Sequence, residues 1–294
     1  MPDNTALLRA APLLFVLIWS TGWIVAGYAA PYADPLTFLS VRYALAAIAM
    51  ALIAVTLKAS WPVDASSIRH ALVSGILIHA LYLGGVWWAV RHGLPAGISG
   101  LIAALQPIMT AFLAPMLVGE RITPVRWMGI LLGFIGITLV LSPKIMGLES
   151  DALSAVLIPI AVNAVAMLSV TLGTFYQKRF IPTGDLRSVT TLQYVGAFLV
   201  TLPAAFLLEP MHITWNVTTL AVLAWSVLAL SLGAIGLLLM LIRHGAVSRA
   251  AMLIYLIPPT VAFEAWLLFG EKLSALQLVG MAVTVLGVVL ATRR

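Results

Sequence analysis

A few polar and aromatic side chains stand inside long apolar stretches of this chain, and they are the residues that could do chemistry there. His79 lies in the middle of one stretch with Tyr82 three residues later, and Trp19 and Trp23 lie four residues apart in another. On a helix, each pair shares one face. Such a group could stack on an aromatic ring and hydrogen-bond an amino or carboxyl group. The alternative is that these side chains bond to neighbouring helices and serve packing.

Sequence motifs for catalysis do not accompany these residues. The sequence contains no HExxH, GxSxG or P-loop pattern, which are the signatures of metalloproteolysis, serine hydrolysis and nucleotide use. It also contains no cysteine, and therefore no thiol nucleophile or thiolate metal ligand. We expect no enzyme activity, no cofactor and no metal site.

The elements that position these residues must lie in lipid. Hydrophobic residues make up 62% of the 294 residues and charged residues 9%, whereas a soluble domain carries about 25% charge. A spanning helix needs about 20 mostly apolar residues. The stretches that qualify cover residues 11–30, 36–57, 70–90, 95–118, 124–142, 152–177, 188–208, 218–242, 249–269 and 274–292. The sequence thus predicts an all-α membrane protein with ten transmembrane helices.

The basic residues indicate how these helices are oriented. If the N-terminus is cytoplasmic, the inner segments carry 12 Lys and Arg residues and the outer segments carry 3. Under the positive-inside rule this bias places both termini in the cytoplasm. The net charge of +6 is spread over short loops, which favours contact with anionic membrane lipid over binding of nucleic acid.

The two halves of the sequence carry similar signals. Pro107 precedes Glu120 by thirteen residues and Pro258 precedes Glu271 by thirteen residues, so the copies are offset by 151. Each copy contains five predicted helices, an odd number, and the second copy should therefore cross the membrane in the opposite sense. We expect two inverted five-helix repeats, residues 1–147 and 148–294, around a central cavity.

These features resemble the drug/metabolite transporter superfamily in its ten-helix form of paired EamA-type repeats, over the whole chain. The residues that carry the resemblance are Trp19-Ser20-Thr21-Gly22, Arg42, Gln106-Pro107, Gly119-Glu120-Arg121, Pro258, Gly270-Glu271-Lys272, Gly280 and Gly287. The resemblance implies that helices 1, 3, 4, 6, 8 and 9 surround a cavity and that helices 5 and 10 pack the halves together. Within the superfamily, the chain is most similar to the aromatic amino-acid exporters of the bacterial inner membrane.

The six cavity helices that the resemblance implies all have a polar or aromatic side chain near their middle. The expected substrate-binding residues are Trp19, Ser20, Trp23, His79, Tyr82, Gln106, Asn163, Ser231 and Tyr255. Polar groups at this depth are unfavourable unless they face protein or water, and a shared cavity explains them together. Packing against a neighbouring helix remains the alternative for each.

Pro107 and Pro258 should interrupt the backbone hydrogen bonds of helices 4 and 9. Because they occupy matched sites in both copies, we favour hinges that move during alternating access over static kinks.

Two charged residues, Arg42 and Glu264, fall inside predicted spans. Arg42 matches the family's arginine on helix 2, which implies a structural ion pair or bonds to carbonyl groups. Glu264 could be a proton site, although an ion pair in the outer leaflet or snorkelling toward Lys272 is the interpretation that we favour.

The expected function is export of aromatic amino acids or similar small amphipathic metabolites by alternating access. The alternative within transporters is a multidrug-type exporter of lipophilic compounds that uses Glu264 for proton coupling. A passive channel or a structural membrane subunit is the alternative from another class, and a channel would need a continuous polar stripe that the clustered polar residues do not provide.

Overall fold

The computed structural model describes residues 5–118, 123–146, 150–237 and 256–291. In these ranges the chain folds into helices joined by turns, with one isolated bridge between Ala33 and Ile213. The helical segments that are long and apolar enough to cross a membrane are Ala10–Ala29, Pro35–Thr56, Ala65–Arg91, Ala96–Leu117, Pro124–Pro143, Ala155–Phe180, Leu186–Leu208 and Val217–Leu237. The shorter apolar helices Ile257–Phe269 and Ala275–Ala291 follow them. The predicted all-helical, multi-pass fold is confirmed.

We number the helices in chain order. They are α1 (Thr5–Ala29), α2 (Pro35–Thr56), α3 (Ala65–Gly75), α4 (Tyr82–Arg91), α5 (Ala96–Ile102), α6 (Leu105–Val118), α7 (Pro124–Ile145), α8 (Ser150–Phe180), α9 (Leu186–Leu208), α10 (Val217–Trp225), α11 (Ile257–Phe269) and α12 (Ala275–Ala291). Two π-helical segments, Ile76–Leu81 after α3 and Ser226–Gly233 after α10, lie inside membrane spans.

Helix ends follow local sequence signals. Asp64 caps α3 by accepting a hydrogen bond from Ser67 N, and Asn216 caps α10 in the same way from Thr219 N. Helices α2 and α7 begin with a proline, which lacks the N–H that a first turn would leave unpaired. Gly270 ends α11 in the left-handed conformation, with φ of 68°. These signals keep the connections between spans short.

The π-helical segments are a difference from the uninterrupted helices predicted at 70–90 and 218–242. A π turn leaves carbonyl groups displaced from the regular α-helical ladder. In the first segment, neighbouring helices supply partners: Tyr43 Oη donates to His79 O at 2.9 Å, and Ser169 Oγ donates to Leu77 O at 2.9 Å. The apolar pattern could not reveal this change, because it depends on side chains from α2 and α8.

The predicted helix at 95–118 is divided at Ala103–Ala104 into α5 and α6. Pro107 lies four residues after Ala103 and cannot donate the helical hydrogen bond to its carbonyl, which accepts from Gln106 N at 3.0 Å instead. The predicted interruption by Pro107 is therefore confirmed. Pro258 lies in the first turn of α11, and residues 238–255 before it are outside the described ranges.

Helices α7 and α12 pack closely and run antiparallel. Gly129 lies against the backbone of Ala291, and Gly136 lies against that of Thr284, so that an added methyl group would overlap the partner helix at either position. The glycines of these two helices thus allow close helix contact. The first residues of the two helices, Pro124 and Ala275, differ by the offset of 151 that relates the sequence copies.

Helices α2 and α9 form a second antiparallel pair whose first residues also differ by 151. Glu209, after the end of α9, accepts hydrogen bonds from Leu36 N and Thr37 N at the start of α2. At the other end, Arg187 donates to Leu57 O at 3.2 Å. Glu271 makes a comparable contact with the start of α5, where Ala96 N and Gly97 N donate to it at 3.0 Å.

Candidate functional site

A cavity formed by two adjoining pockets lies between the helices. The first pocket has a volume of about 100 Å³ and the second of about 60 Å³. Both are lined by Trp19, Trp23, Tyr82 and Val170. The first pocket is also lined by Gly22, Arg42, Ile78, His79, Leu83, Val86, Tyr194, Leu230 and Ile235. The second is also lined by Ala103, Ala104, Gln106, Pro107, Ile257, Pro258, Val285 and Val288.

The predicted pair His79 and Tyr82 lies in the wall of the first pocket, at the junction of the π segment with α4. The His79 ring stacks on Tyr194, with centroids 4.6 Å apart and an angle of 30° between the planes. Because Tyr43 bonds to the His79 carbonyl, both the backbone and the ring of this histidine are held by other helices. The pair therefore offers a fixed aromatic surface with polar edges.

Trp19 and Trp23 also line the cavity, as their shared helix face predicted. Trp19 packs on Phe15 with ring centroids 5.3 Å apart. Trp23 is buried, and its indole N–H has no hydrogen-bond partner in the part of the chain that the structure describes. A buried indole N–H normally finds a partner, so this donor in the cavity wall is a notable feature of the site.

The second pocket lies beside the interruption between α5 and α6. Gln106 lines it, as predicted, and so do the two predicted hinge residues, Pro107 and Pro258. The prolines from the two sequence copies thus meet at one cavity, on α6 and α11. Any change in backbone direction at either proline would alter the shape of this pocket.

Three predicted residues lie behind the cavity wall. Ser20 donates to Glu264 Oε1 at 2.7 Å, and Asn163 exchanges hydrogen bonds of 3.3 Å with Ser99. Ser231 is fully buried and contacts Arg42. None of the three lines either described pocket. Ser20 and Asn163 bond helix to helix in this structure, and their role in substrate binding stays a prediction. Tyr255 lies outside the described residues.

Glu264 is placed differently from the favoured expectation of snorkelling toward Lys272. It is 9% exposed, accepts its hydrogen bond from Ser20, and its Oε2 atom has no partner within the described ranges. The physical reason is that Ser20 on α1 offers a hydrogen-bond donor inside the protein. The carboxyl group joins α1 to α11 and does not line the two pockets.

Arg42 and Tyr194 are lining residues that the sequence interpretation did not assign to the site. Arg42 is 5% exposed, and its Nε and Nη2 atoms each donate to Ser231 Oγ at 3.4 Å. Tyr194 Oη donates to Ser231 O at 3.4 Å. The 151-residue offset pairs Tyr194 with Tyr43, and that signal could have drawn attention to it.

The wall also includes more helices than the six that the resemblance implied. Arg42 belongs to α2, Tyr194 to α9, and Val285 and Val288 to α12, which correspond to predicted helices 2, 7 and 10. Chemically, the lining residues that the structure describes offer aromatic faces, hydroxyl and amide groups, an imidazole and one guanidinium. Within the described ranges, no group of three or more His, Asp or Glu side chains is placed to hold a metal ion.

The sequence profile of the EamA-like transporter family matches this chain twice, at residues 9–142 and 157–293. An uncharacterized transporter of Bacillus subtilis, YvbV, is 25% identical over 99% of this chain and 92% of its own length. A protein of Salmonella typhimurium named "Probable amino-acid metabolite efflux pump" is 24% identical over 94% of this chain and 91% of its own. A crystal structure with 19% identity shares the fold, with a TM-score of 0.65 over 97% of each chain. The chain belongs to the EamA-like transporter family, within the drug/metabolite transporter superfamily, and is a multi-pass membrane protein of that family.

Proposed function

We propose that this protein exports small amphipathic metabolites, aromatic amino acids among them, by alternating access. The observation that carries the proposal is the cavity, where Trp19, Trp23, Tyr82 and His79 surround a space that also contains the Arg42 guanidinium. Aromatic faces favour a flat apolar body, while a single charged group and a few polar edges suit a small polar head. The efflux role named for the Salmonella relative agrees with this assignment.

The proposed mechanism uses residues 1–147 and 148–294 as two inverted five-helix repeats that exchange conformations. It is supported by the antiparallel pairs α2–α9 and α7–α12, whose starting residues differ by the same 151 positions. Two related units facing opposite sides can convert an inward-open state into an outward-open one around a site near the midplane. Pro107 and Pro258 act as hinges beside that site. The basic residues orient the chain with both termini in the cytoplasm of a bacterial cell, across its inner membrane.

Release of an amino acid from cells tests this function directly. A strain that overexpresses the protein is loaded with a phenylalanine-containing peptide, and phenylalanine release is followed. Faster release than from the empty-vector strain is expected, and equal rates would contradict the substrate class. His79→Ala should change the rate or the substrate preference because the ring lines the cavity, whereas His92→Ala should not, since His92 stacks on Trp88 and does not line either pocket. Counterflow in proteoliposomes separates this carrier from a passive channel.

A second candidate is a proton-coupled multidrug exporter that uses Glu264. It is supported by the burial of this carboxyl group between α1 and α11, where Ser20 bonds to one oxygen and the other has no described partner. Under this alternative, Glu264→Gln abolishes efflux driven by a proton gradient. Under a facilitator mechanism, the same variant retains solute counterflow at close to the original rate. Ser20→Ala is the control, because it removes the hydrogen bond to Glu264 but keeps the carboxyl group, and it should retain coupling.

A further inference from the structure

Arg42 is a buried cation without a carboxylate partner among the described residues. The described carboxylates are engaged elsewhere: Asp34 with His212 N, Asp64 with Ser67 N, Asp185 with Arg187, Glu209 with Leu36 N and Thr37 N, Glu264 with Ser20, and Glu271 with Ala96 N and Gly97 N. The printed sequence places the remaining acidic residues, Asp3, Glu120, Glu149 and Asp151, outside the predicted apolar spans. Among the described residues, therefore, no carboxylate pairs with Arg42.

The guanidinium is also only weakly satisfied by neutral groups. Its two hydrogen bonds go to the same atom, Ser231 Oγ, and both are 3.4 Å long, whereas a typical N–H···O bond is about 2.9–3.0 Å. Arginine has five N–H donors. A buried charge with so few partners is unfavourable in a membrane protein unless water or a ligand completes its shell.

The same side chain forms part of the first pocket. Ser231 holds the guanidinium from behind, and Tyr194 in turn donates to Ser231 O. His79 stacks on Tyr194 and Tyr82 lies on the same wall. The charged group thus stands beside an aromatic surface, which is the arrangement that an acid with a flat apolar body requires.

We propose that Arg42 binds the carboxylate of the substrate, and that the substrates are monocarboxylates with an aromatic or apolar body. This inference rests on the proposed export function and narrows its substrate class. A guanidinium can hold a carboxylate through two parallel hydrogen bonds. Among the described lining residues, Arg42 offers a charged partner for a carboxyl group, and no side chain carries the negative charge that would pair with an ammonium group. Deaminated analogues should bind as well as the amino acids.

A ligand series on the purified wild-type protein tests this proposal. 3-Phenylpropionate, its neutral amide 3-phenylpropionamide, phenylalanine and phenethylamine are compared as competitors of counterflow in proteoliposomes and by intrinsic tryptophan fluorescence. The acid and phenylalanine should bind comparably, and the amide should bind roughly 10- to 100-fold more weakly because a charged hydrogen-bonded pair is lost. Phenethylamine, which keeps the ring and carries only the positive charge, should be the weakest competitor.

Substitution at position 42 supplies the second measurement. Arg42→Gln should abolish the preference for the acid over the amide while leaving the affinity for the amide unchanged, a change that general loss of structure would not produce. Arg42→Lys should retain part of the preference, because the charge remains without the planar fork. Arg187→Gln is the control, since Arg187 pairs with Asp185 outside the cavity, and it should keep the wild-type preference. If Arg42→Gln does not fold, the wild-type acid and amide pair decides the question alone.

Failure of the Arg42 inference and failure of the export function give different results in these experiments. If the amide and phenethylamine compete as well as the acid does, Arg42 is not a carboxylate site and the inference is overturned, although the export function stands. If none of the four compounds binds or is transported, the proposed function itself is wrong.

Discussion

The two sequence copies place the same kinds of backbone at matched positions but give them different side-chain chemistry. At the 151-residue offset, Arg42 and Tyr43 of α2 correspond to Gln193 and Tyr194 of α9. Arg42 lines the cavity, whereas Gln193 donates to Ser74 Oγ at 3.0 Å and to Gln177 Oε1 at 3.2 Å and lines neither pocket. The two tyrosines also differ, in the opposite sense: Tyr194 of the second copy lines the cavity, whereas Tyr43 of the first copy bonds to the His79 carbonyl group.

The two π segments likewise share a backbone feature but contribute side chains of different chemistry. Both interrupt a span at related positions, Ile76–Leu81 in the first copy and Ser226–Gly233 in the second. The first contributes His79 to the cavity wall, and the second contributes Ser231 as a support for Arg42. A repeated backbone can therefore provide matched helices, while unmatched side chains give the cavity an asymmetric wall.

The strongest test of the backbone match concerns the glycines of α7 and α12. Gly136→Ala and Gly287→Ala, which occupy matched positions, should each destabilise the protein by about 1–3 kcal/mol, because the new methyl group meets the backbone of the partner helix. Gly236→Ala is the control, since a Cβ there has no neighbouring atom within 4 Å in the described structure. Thermal unfolding in detergent measures the effects. Tolerance of alanine at one glycine but not at the other would show that the copies do not pack alike.

Exchanging Arg42 and Gln193 tests whether the two sequence copies contribute differently to the cavity. The double variant Arg42→Gln/Gln193→Arg keeps composition and net charge, but it should not recover the preference for a carboxylate that Arg42→Gln loses. The ratio of acid to amide affinity should stay roughly 10- to 100-fold below that of the wild type, because position 193 faces Ser74 and Gln177 instead of the cavity. This ratio is the measured quantity. Recovery in the double variant would mean that the two positions are equivalent and that the site is symmetric.

Removing the hydroxyl group from each of the matched tyrosines, Tyr43 and Tyr194, should have smaller effects, and the two variants should affect different properties. Tyr43→Phe removes a 2.9 Å hydrogen bond to the π segment and should lower stability by about 1 kcal/mol. Tyr194→Phe removes a longer bond of 3.4 Å to Ser231 O and should cost less, but it should alter ligand affinity because its ring lines the cavity. Unfolding and binding are measured for each variant. A larger binding effect from Tyr43→Phe than from Tyr194→Phe would reverse the assigned roles.

The smallest effect is expected at the matched aspartates that precede α2 and α9. Hydrogen bonds from the Arg187 guanidinium lower the pKa of Asp185 to about 2, whereas Asp34 accepts from His212 N. The pKa of Asp185 is lower in the folded state than in the unfolded state, where it is about 3.9. Its contribution to the free energy of unfolding is therefore fully present above about pH 3.9 and is lost as the pH falls through 2. Asp185→Asn should lower Tm by about 2 °C or less at pH 6, and by progressively less between pH 4 and 2. A difference that persists unchanged at pH 2 would show that ionisation of Asp185 is not its origin.

Most of the helical framework could be predicted from sequence, whereas the site could be predicted only in part. Trp19, Trp23, His79, Tyr82 and Gln106 were expected in the cavity and line it. The same reasoning expected other mid-depth polar residues there, and some of them bond helix to helix instead. Depth along a helix can be counted from the sequence, but the direction of a side chain depends on which neighbour supplies a partner.

Arg42 shows this limit most clearly. Its position inside an apolar stretch predicted that it needs a partner, and the resemblance suggested a structural one. Only the folded chain decides that the described carboxylates bond to other groups and that the guanidinium stands in a cavity wall. The interruption at Ala103, by contrast, follows directly from the missing N–H of Pro107 and required no knowledge of the fold.

By itself, the sequence determined that this chain lies in lipid, that it is helical, and that its two halves are offset copies of one pattern. These properties are local or periodic, since they follow from apolar length, charge and spacing along the chain. The tertiary structure decided which side chains share a cavity, where two spans become π-helical, and why Arg42 stands in the cavity wall while the matched Gln193 bonds to neighbouring side chains. Those outcomes depend on contacts between residues far apart in sequence, and no local pattern contains them.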